Sequence, residues 1–422
     1  MSSAGATRPT TETDRIATLD VLRGFALLGI LLVNVIGFAL PSVEYLLPSQ
    51  PQGADLIAWA FVELSAEGAM RGLFSILFGA GVVLFIGSGA DRGASTYFRR
   101  NVLLLAFGLI DAYLLLWTGD ILFVYGLCAL LLYFVRNVRP SRLFGAALTL
   151  FVLMTLQHGV TQFGLGYSKQ AYAQVQQDPA NASPELHEIA SGWEEFNRDF
   201  AGSDDFAAEL TQRRDSYLSA WQWSAEQFNE TLAFVLPFYL FWDAMAMMLL
   251  GMALFKWGVL QGQRERAFYW RWGAIGFLVG LTVNAWEVSR VVDADFAILQ
   301  TFPQMQWTYH IGRLGMAFGW MCTLILLLPH IRAVADRLAA VGRLALTNYL
   351  MHSVLALFVF TGAGLGWVGM FSRAEIYIFV AVVWGLQLLL SPWWLARFYF
   401  GPVEWLWRGL TYGQFPVNRR PH

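Results

Sequence analysis

Hydrophobic positions in this chain come in long unbroken runs, not in alternating or one-faced patterns. Ten stretches have the length a bilayer crossing needs: 20–40, 68–87, 101–117, 121–135, 143–163, 231–255, 271–288, 308–329, 344–364 and 374–397. Runs that are apolar all round predict helices solvated by lipid, since only helices or closed barrels satisfy their backbone groups in hydrocarbon. The expected fold is therefore all-α, a polytopic integral membrane protein of about ten transmembrane helices.

The polar stretches between the runs divide the chain. They predict a cytoplasmic tail at 1–18, an N-terminal transmembrane bundle at 19–163 and a helical extracytoplasmic insert at 164–230. A C-terminal bundle at 231–397 follows, each bundle having about five helices, and 398–422 reads as an interfacial amphipathic helix with a cytoplasmic tail. With the N-terminus inside, 20 of the 28 Lys and Arg residues fall on the cytoplasmic side and eight outside. That bias predicts both termini inside. The tightest unit is Arg99–Arg139, two apolar helices joined by the turn Thr118-Gly119-Asp120, with arginines at both open ends. The insert has 12 acidic residues against four basic ones, together with Trp193, Phe196, Phe200, Tyr217, Trp221 and Trp223. Its spacing suits two amphipathic helices, the first capped by Ser183. It is expected either to roof an outer cavity or bind a partner, or to be a solvated cap packing its aromatics on the bundle.

Composition sharpens this picture. The chain is 57% hydrophobic and 14% charged, whereas a soluble domain carries about 25% charge. A net charge of -2 selects no partner, and nucleic acid is not expected. Cys128 and Cys322 both lie inside apolar runs, which excludes an exported disulfide framework and disfavours a cysteine metal site, so no metal is expected. The first residues lack a signal-peptide pattern, and the apolar run after them is expected to be retained. The localisation that follows is the membrane, as a multi-pass protein.

Polar side chains inside the runs are the candidates for chemistry, because a charge at mid-bilayer is costly unless paired, protonated or wetted. Asp111 lies about ten residues inside its helix, near the middle of a ~30 Å core at roughly 1.5 Å per residue. Asp243 is at similar depth, so the two are expected to share a cavity. Asp20 and Arg23 lie three apart on one face at the cytoplasmic surface, with Asn34 deeper. Glu67, Arg71 and Ser75 are spaced by four, and Glu67 with Arg71 suits an ion pair. Gly79 and Gly81 permit close helix approach, while Pro237 and Gly251 are expected to kink their helix. His310 and Arg313 lie near the outer surface, and Asn348 and His352 share a face in the cytoplasmic half. Glu404 and Arg408 form a further pair beside the anchors Trp405 and Trp407. Each has a bland alternative: Asp111 as a protonated, hydrogen-bonded tie between helices, Asp20 and Arg23 as a structural ion pair, and His352 as a satisfied core residue. There is no phosphate-binding glycine loop, HExxH, Cys/His metal spacing or GxSxG.

The stretches RIATLDVLRGFALLGILLVN, RGLFSILFGAGV, RRNVLLLAFGLIDAYLLLWTGDILFVYG, VGRLALTNYLMHS and FGPVEWLWRGLTYG resemble the YeiB-like family of bacterial membrane proteins. Its C-terminal half is a domain of unknown function, number 418. The N-terminal half is similar to transmembrane acyltransferases of the heparan-α-glucosaminide N-acetyltransferase type. This resemblance implies acyl transfer from cytoplasmic acetyl-CoA or another acyl-CoA to an acceptor across the membrane, with an embedded His involved. It also implies that the membrane is a bacterial inner membrane. This chain departs from many relatives by having Asp111 where they have a His. An Asp cannot form an acyl-imidazole but can act as a general base.

Two functions compete. In a membrane acyltransferase, Asp111, His352 and Asp120 would be catalytic, and acyl-CoA would be the co-substrate. Arg23, Arg99 and Arg100, with Arg343, would hold its phosphates. Asp20, Asn34, Arg71, Tyr125, Asp243, His310, Arg313 and Asn348 would complete substrate binding. In a proton-coupled transporter or lipid- and solute-binding protein, Asp111 and Asp243 would carry protons, and the insert would be a gate. A structural or sensory subunit is a third reading. The expected partners are the bilayer, a small-molecule, lipid or glycan acceptor, and a second copy of the chain as a homodimer.

Overall fold

The computed structural model describes residues 16–46, 48, 50–87, 93–201, 205–297, 301 and 305–421. All named elements among them are helical. In chain order they are α1 (Ala17–Ala39), α2 (Val43–Leu46), α3 (Ala54–Ser65), α4 (Ala69–Gly87), α5 (Ala94–Tyr113), α6 (Leu122–Leu132) and α7 (Pro140–Gln177). Then come α8 (Pro184–Ala201), α9 (Asp205–Asp215), α10 (Tyr217–Glu230), a π-helical stretch (Thr231–Leu240) and α11 (Phe241–Lys256). The chain finishes with α12 (Arg266–Asp293), α13 (Tyr309–Leu327), α14 (Arg332–Arg343), α15 (Ala345–Phe360), α16 (Ile376–Leu395) and α17 (Pro402–Tyr412). The protein is an all-α polytopic membrane protein.

Each of the ten apolar runs is helical, but they are not ten equal spans. Seven helical runs among the described residues are long and apolar enough to cross a bilayer, and an eighth arises if α14 and α15, bent by 78°, count as one. The α5–α6 hairpin falls short because α6 has only 11 residues and α5 opens on a polar turn. The second crossing starts earlier than the pattern suggests, since α3 leads into α4 as one run, Ala54–Gly87. Gly68 lies at the junction with φ +63°, and a Cβ there would meet Arg313 and the Tyr309 hydroxyl at 3.0–3.2 Å. Only glycine is at ease in that conformation.

Lipid tails are as apolar as leucine, so helices associate in a bilayer mainly by close packing and internal polar contacts. Two crossings show this. At α4–α11, a Cβ on Gly79 would lie 2.1 Å from the Met248 carbonyl oxygen, and one on Gly251 would lie 1.9 Å from that of Ile76. Gly251 thus packs the crossing, within the unbroken helix α11. Pro237 lies in the π-helical stretch, where the missing donor is accommodated. At α1–α14, Gly24 and Gly342 approach the carbonyls of Leu338 and Asp20 with equal intimacy.

The segment 164–230 is continuous with its flanking helices. Helix α7 runs on through it to Gln177, and α10 continues through the π-helical stretch into α11. Ser183 caps α8 as expected, its hydroxyl accepting from Leu186 N–H at 3.2 Å. Trp193 is buried and Lys169 sits 4.9 Å from its ring; the side chain of Phe200 lies outside the described residues. From α9, Arg213 reaches the end of α1 and donates to the carbonyls of Gly37, Phe38 and Leu40 at 2.8 Å each. Those carbonyls end a helix and have no partner within it. Glu209 pairs with Arg213 at 2.9 Å and accepts from the Ser42 N–H and hydroxyl. Helix α10 covers the α5–α6 turn, with Phe228 edge-on to Tyr113 and Phe123. Of the two readings, these contacts fit aromatic packing on the bundle.

Candidate functional site

A cavity of about 270 Å³ opens at the end of the bundle that carries residue 16 and α17. Its wall is built from α1, α4, α5, α6, the α14–α15 bend and α17. Phe74, Phe78, Leu84, Phe85, Leu104 and Leu122 make most of it apolar. Among the described residues, Arg23, Arg100, Arg343 and Arg408 line it with two carboxylates, Asp20 and Glu404. Asp20 is held by Arg23 at 3.0 Å, as the three-residue spacing predicts. The Arg100 guanidinium lies 3.6 Å from the Trp407 ring centroid and 5.0 Å from that of Phe85. Aromatic faces thus cover its plane and fix its direction. Trp407 also donates to the Arg100 carbonyl at 2.8 Å, so this tryptophan is turned inward and is not a lipid anchor. Glu404 accepts from the backbone N–H groups of Leu346 and Thr347 at 2.8 and 3.0 Å, and so caps α15 after the bend. Burial pushes its carboxyl above the ordinary range. Asn101, Tyr97, Tyr125 and Tyr349 supply the remaining polar groups.

Other expected residues lie elsewhere. Arg99 is exposed and is not part of the rim. Asn34 is buried on α1 away from the cavity. Asp111 and Asp243 do not share a cavity. Asp243 is clamped between two guanidiniums: Arg313 donates to both its oxygens, and Arg71 donates to Oδ2 at 2.9 Å. Arg71 therefore turns to Asp243 and to Tyr309 (3.1 Å) across the bundle, not to Glu67 one turn away. His310 is buried, and its Nδ1 lies 2.6 Å from Arg313. Ser75 and Tyr125 lie between this cluster and the cavity: their hydroxyls are 2.5 Å apart, and Ser75 donates to the backbone carbonyl of Arg71 at 2.9 Å.

Asp111 is fully buried, with the Ser353 hydroxyl and the Asp120 carboxyl as its polar neighbours. Asp120 is also buried. Its oxygens accept from the N–H groups of Leu122 and Phe123 at 3.1 and 2.8 Å, and so cap α6. His352 and Asn348 do share a face, but it meets α16. Gln387 bridges them, with its amide nitrogen 2.8 Å from His352 Nε2 and donating to the Asn348 carbonyl at 3.1 Å. Asn348 donates to Ser391. His352 is therefore a core residue that does not reach the cavity wall. The cavity residues the pattern did not single out are Asn101, Tyr349, Trp407 and Arg408 as a wall group. Asn101 carried a faint signal, directly after the arginine pair; Tyr349 carried none.

A family model described as a protein of unknown function, DUF418, matches residues 254–414. The chain is 30% identical over 421 residues to the "Uncharacterized protein YxaH" of Bacillus subtilis (strain 168), covering 96% of each. It is 31% identical over 407 residues to the "Uncharacterized protein YeiB" of Escherichia coli (strain K12), covering 94% of this chain and 96% of that one. The chain belongs to the YeiB-like family. A third relative, from Bacillus acidopullulyticus, is 26% identical over 416 residues. No solved structure matches. The YeiB-like match runs through both bundles and the insert, whereas the domain match takes in only α14, the α14–α15 bend and α17 of the cavity wall.

Proposed function

We propose that the arginine-rimmed cavity is the donor site of a membrane-embedded acyltransferase-like protein, taking an acyl-CoA from the cytoplasmic side of a bacterial inner membrane. The observation that supports this is the pairing of four guanidiniums at the rim with an apolar, aromatic interior. Guanidinium forks suit phosphate oxygens, and the interior suits an acyl chain. Ligand sites usually measure about 300–1,000 Å³. At 270 Å³, this one would take the acyl-pantetheine arm and leave the nucleotide outside against the arginines. Arg23, Arg100, Arg343 and Arg408 would bind phosphate, and Asn101, Tyr125 and Tyr349 would face the thioester. The acceptor, a small molecule, lipid or glycan, would approach from the membrane or from the far end.

The test is calorimetric binding of acetyl-CoA and palmitoyl-CoA to the detergent-purified protein, with Arg23→Ala/Arg100→Ala as control. Saturable binding that the control loses supports the reading. No binding to folded protein at millimolar ligand overturns it. A transporter is the second reading. It is favoured by the polar string that leads from Tyr125 through Ser75 to Arg71, Asp243 and Arg313, deeper in the bundle.

A further inference from the structure

We infer that Asp111 and Asp120 share a single proton, carried on Asp111, in a proton-binding site that reaches the cavity through the Tyr349 hydroxyl. The two carboxyls face each other because α5 and the start of α6 touch at a glycine. A Cβ on Gly108 would lie 2.4 Å from Phe123 N and 2.6 Å from Asp120 Oδ2. The groups acting on Asp111 are Asp120 and Ser353, and none of them among the described residues is a cation. Trp117 from the turn and Tyr349 from α15 close the rest of the pocket. Two adjacent buried carboxylates with no counter-charge cannot both be ionised. Neither oxygen of Asp111 has a partner as a carboxylate beyond the neighbouring Ser353 hydroxyl, and a proton on one of them makes it a donor to Asp120.

The environment also decides which residue holds that proton. Asp120 accepts two backbone N–H bonds at the start of α6, and such bonds, like the helix N-terminus itself, favour the ionised form. Asp111 has neither. It is therefore the acid, and it donates to the Asp120 carboxylate. Tyr349 lines the cavity, and its oxygen accepts from Ile121 N–H at 3.2 Å. That leaves its own proton free to point at Asp120. The hydroxyl is thus the contact between the acid pair and the cavity. Asp111 in this arrangement is a proton store and not the general base that its depth alone suggests.

The test is infrared spectroscopy of the full-length protein in lipid nanodiscs at neutral pH. A protonated carboxyl gives a C=O stretching band that a carboxylate lacks. The wild-type spectrum should contain such a band that Asp111→Asn removes. Asp120→Asn should keep the band and move it to higher frequency, because the charge-assisted hydrogen bond is lost. On transfer to heavy water the wild-type band should shift as the proton exchanges, and Tyr349→Phe should slow that shift without moving the starting band. If Asp111→Asn removes no band, or is misfolded and Asp120→Asn leaves every carboxylic band in place, the shared proton is refuted. Exchange at the wild-type rate in Tyr349→Phe refutes the route. None of these readouts needs a ligand, so the acid pair stands or falls separately from acyl-CoA binding.

Discussion

Removing the Arg213 side chain is expected to loosen the far end of the bundle more than any other single change in the 164–230 segment. The guanidinium donates to three carbonyls at the end of α1 and to Glu209, and it is 4% exposed. In Arg213→Ala those acceptors lose their donors, at about 1–3 kcal/mol for each buried group left unsatisfied. A hollow of about 10 Å³ beside Arg213, lined also by Thr118, Trp223 and Ser224, is close to the size of one water. Water entering there would re-satisfy one carbonyl. The net loss works out at about 4 kcal/mol, or roughly 8 °C at the ~2 °C per kcal/mol of a large domain. Arg213→Lys keeps the charge and three donors but not the planar fork, so it should lose about half as much. Glu209→Gln keeps acceptors for Ser42 and should cost about 1 kcal/mol. Thermal unfolding in detergent, followed by tryptophan fluorescence, reads all three. A midpoint for Arg213→Ala within about 1 °C of wild type would refute the view that this contact ties the segment to α1.

Further expectations concern the buried ion cluster and the helix crossings. Asp243→Asn removes the carboxylate that bridges Arg71 and Arg313 and should cost about 3–5 kcal/mol. Asp243→Leu/Arg313→Met, which removes the innermost pair together, should recover much of that in the same unfolding assay. Gly251→Leu drives a side chain into the Ile76 carbonyl and should prevent recovery of monodisperse protein in size-exclusion chromatography. Gly81, where a Cβ meets nothing within 4 Å, should accept Ala without effect on that profile.

The fold class was legible because apolar runs of bilayer length have few other uses, and all ten runs are helical. What the pattern could not show was how far each helix continues past its apolar part. Helix α7 runs on past its apolar part, and α10 leads without a break towards α11, because the flanking polar sequences are helical too; hydropathy alone marks 164 and 230 where the helices continue. Asp20, Arg23, Arg100 and Tyr125 do line one cavity, the first three because charges near a helix end find the rim. Asp111 and Asp243 were correctly read as buried, but depth along separate helices does not say which neighbours they meet. Their partition into an acid pair and an ion-pair cluster depends on long-range packing, at Gly108 against Phe123 and at α4 against α11. Arg213, a surface residue by composition, is buried because α1 ends with unpaired carbonyls beneath it.

Photolabelling is the most direct test of the cavity as an acyl-CoA donor site. A long-chain acyl-CoA with a diazirine in its acyl chain would be crosslinked to the protein in nanodiscs and the adducts mapped by mass spectrometry. The account predicts adducts on cavity residues such as Phe74, Phe78, Leu104 and Tyr125, suppressed by excess free CoA and by Arg100→Ala. Adducts confined to lipid-facing positions such as Phe163 and Leu278, and indifferent to CoA, would contradict it.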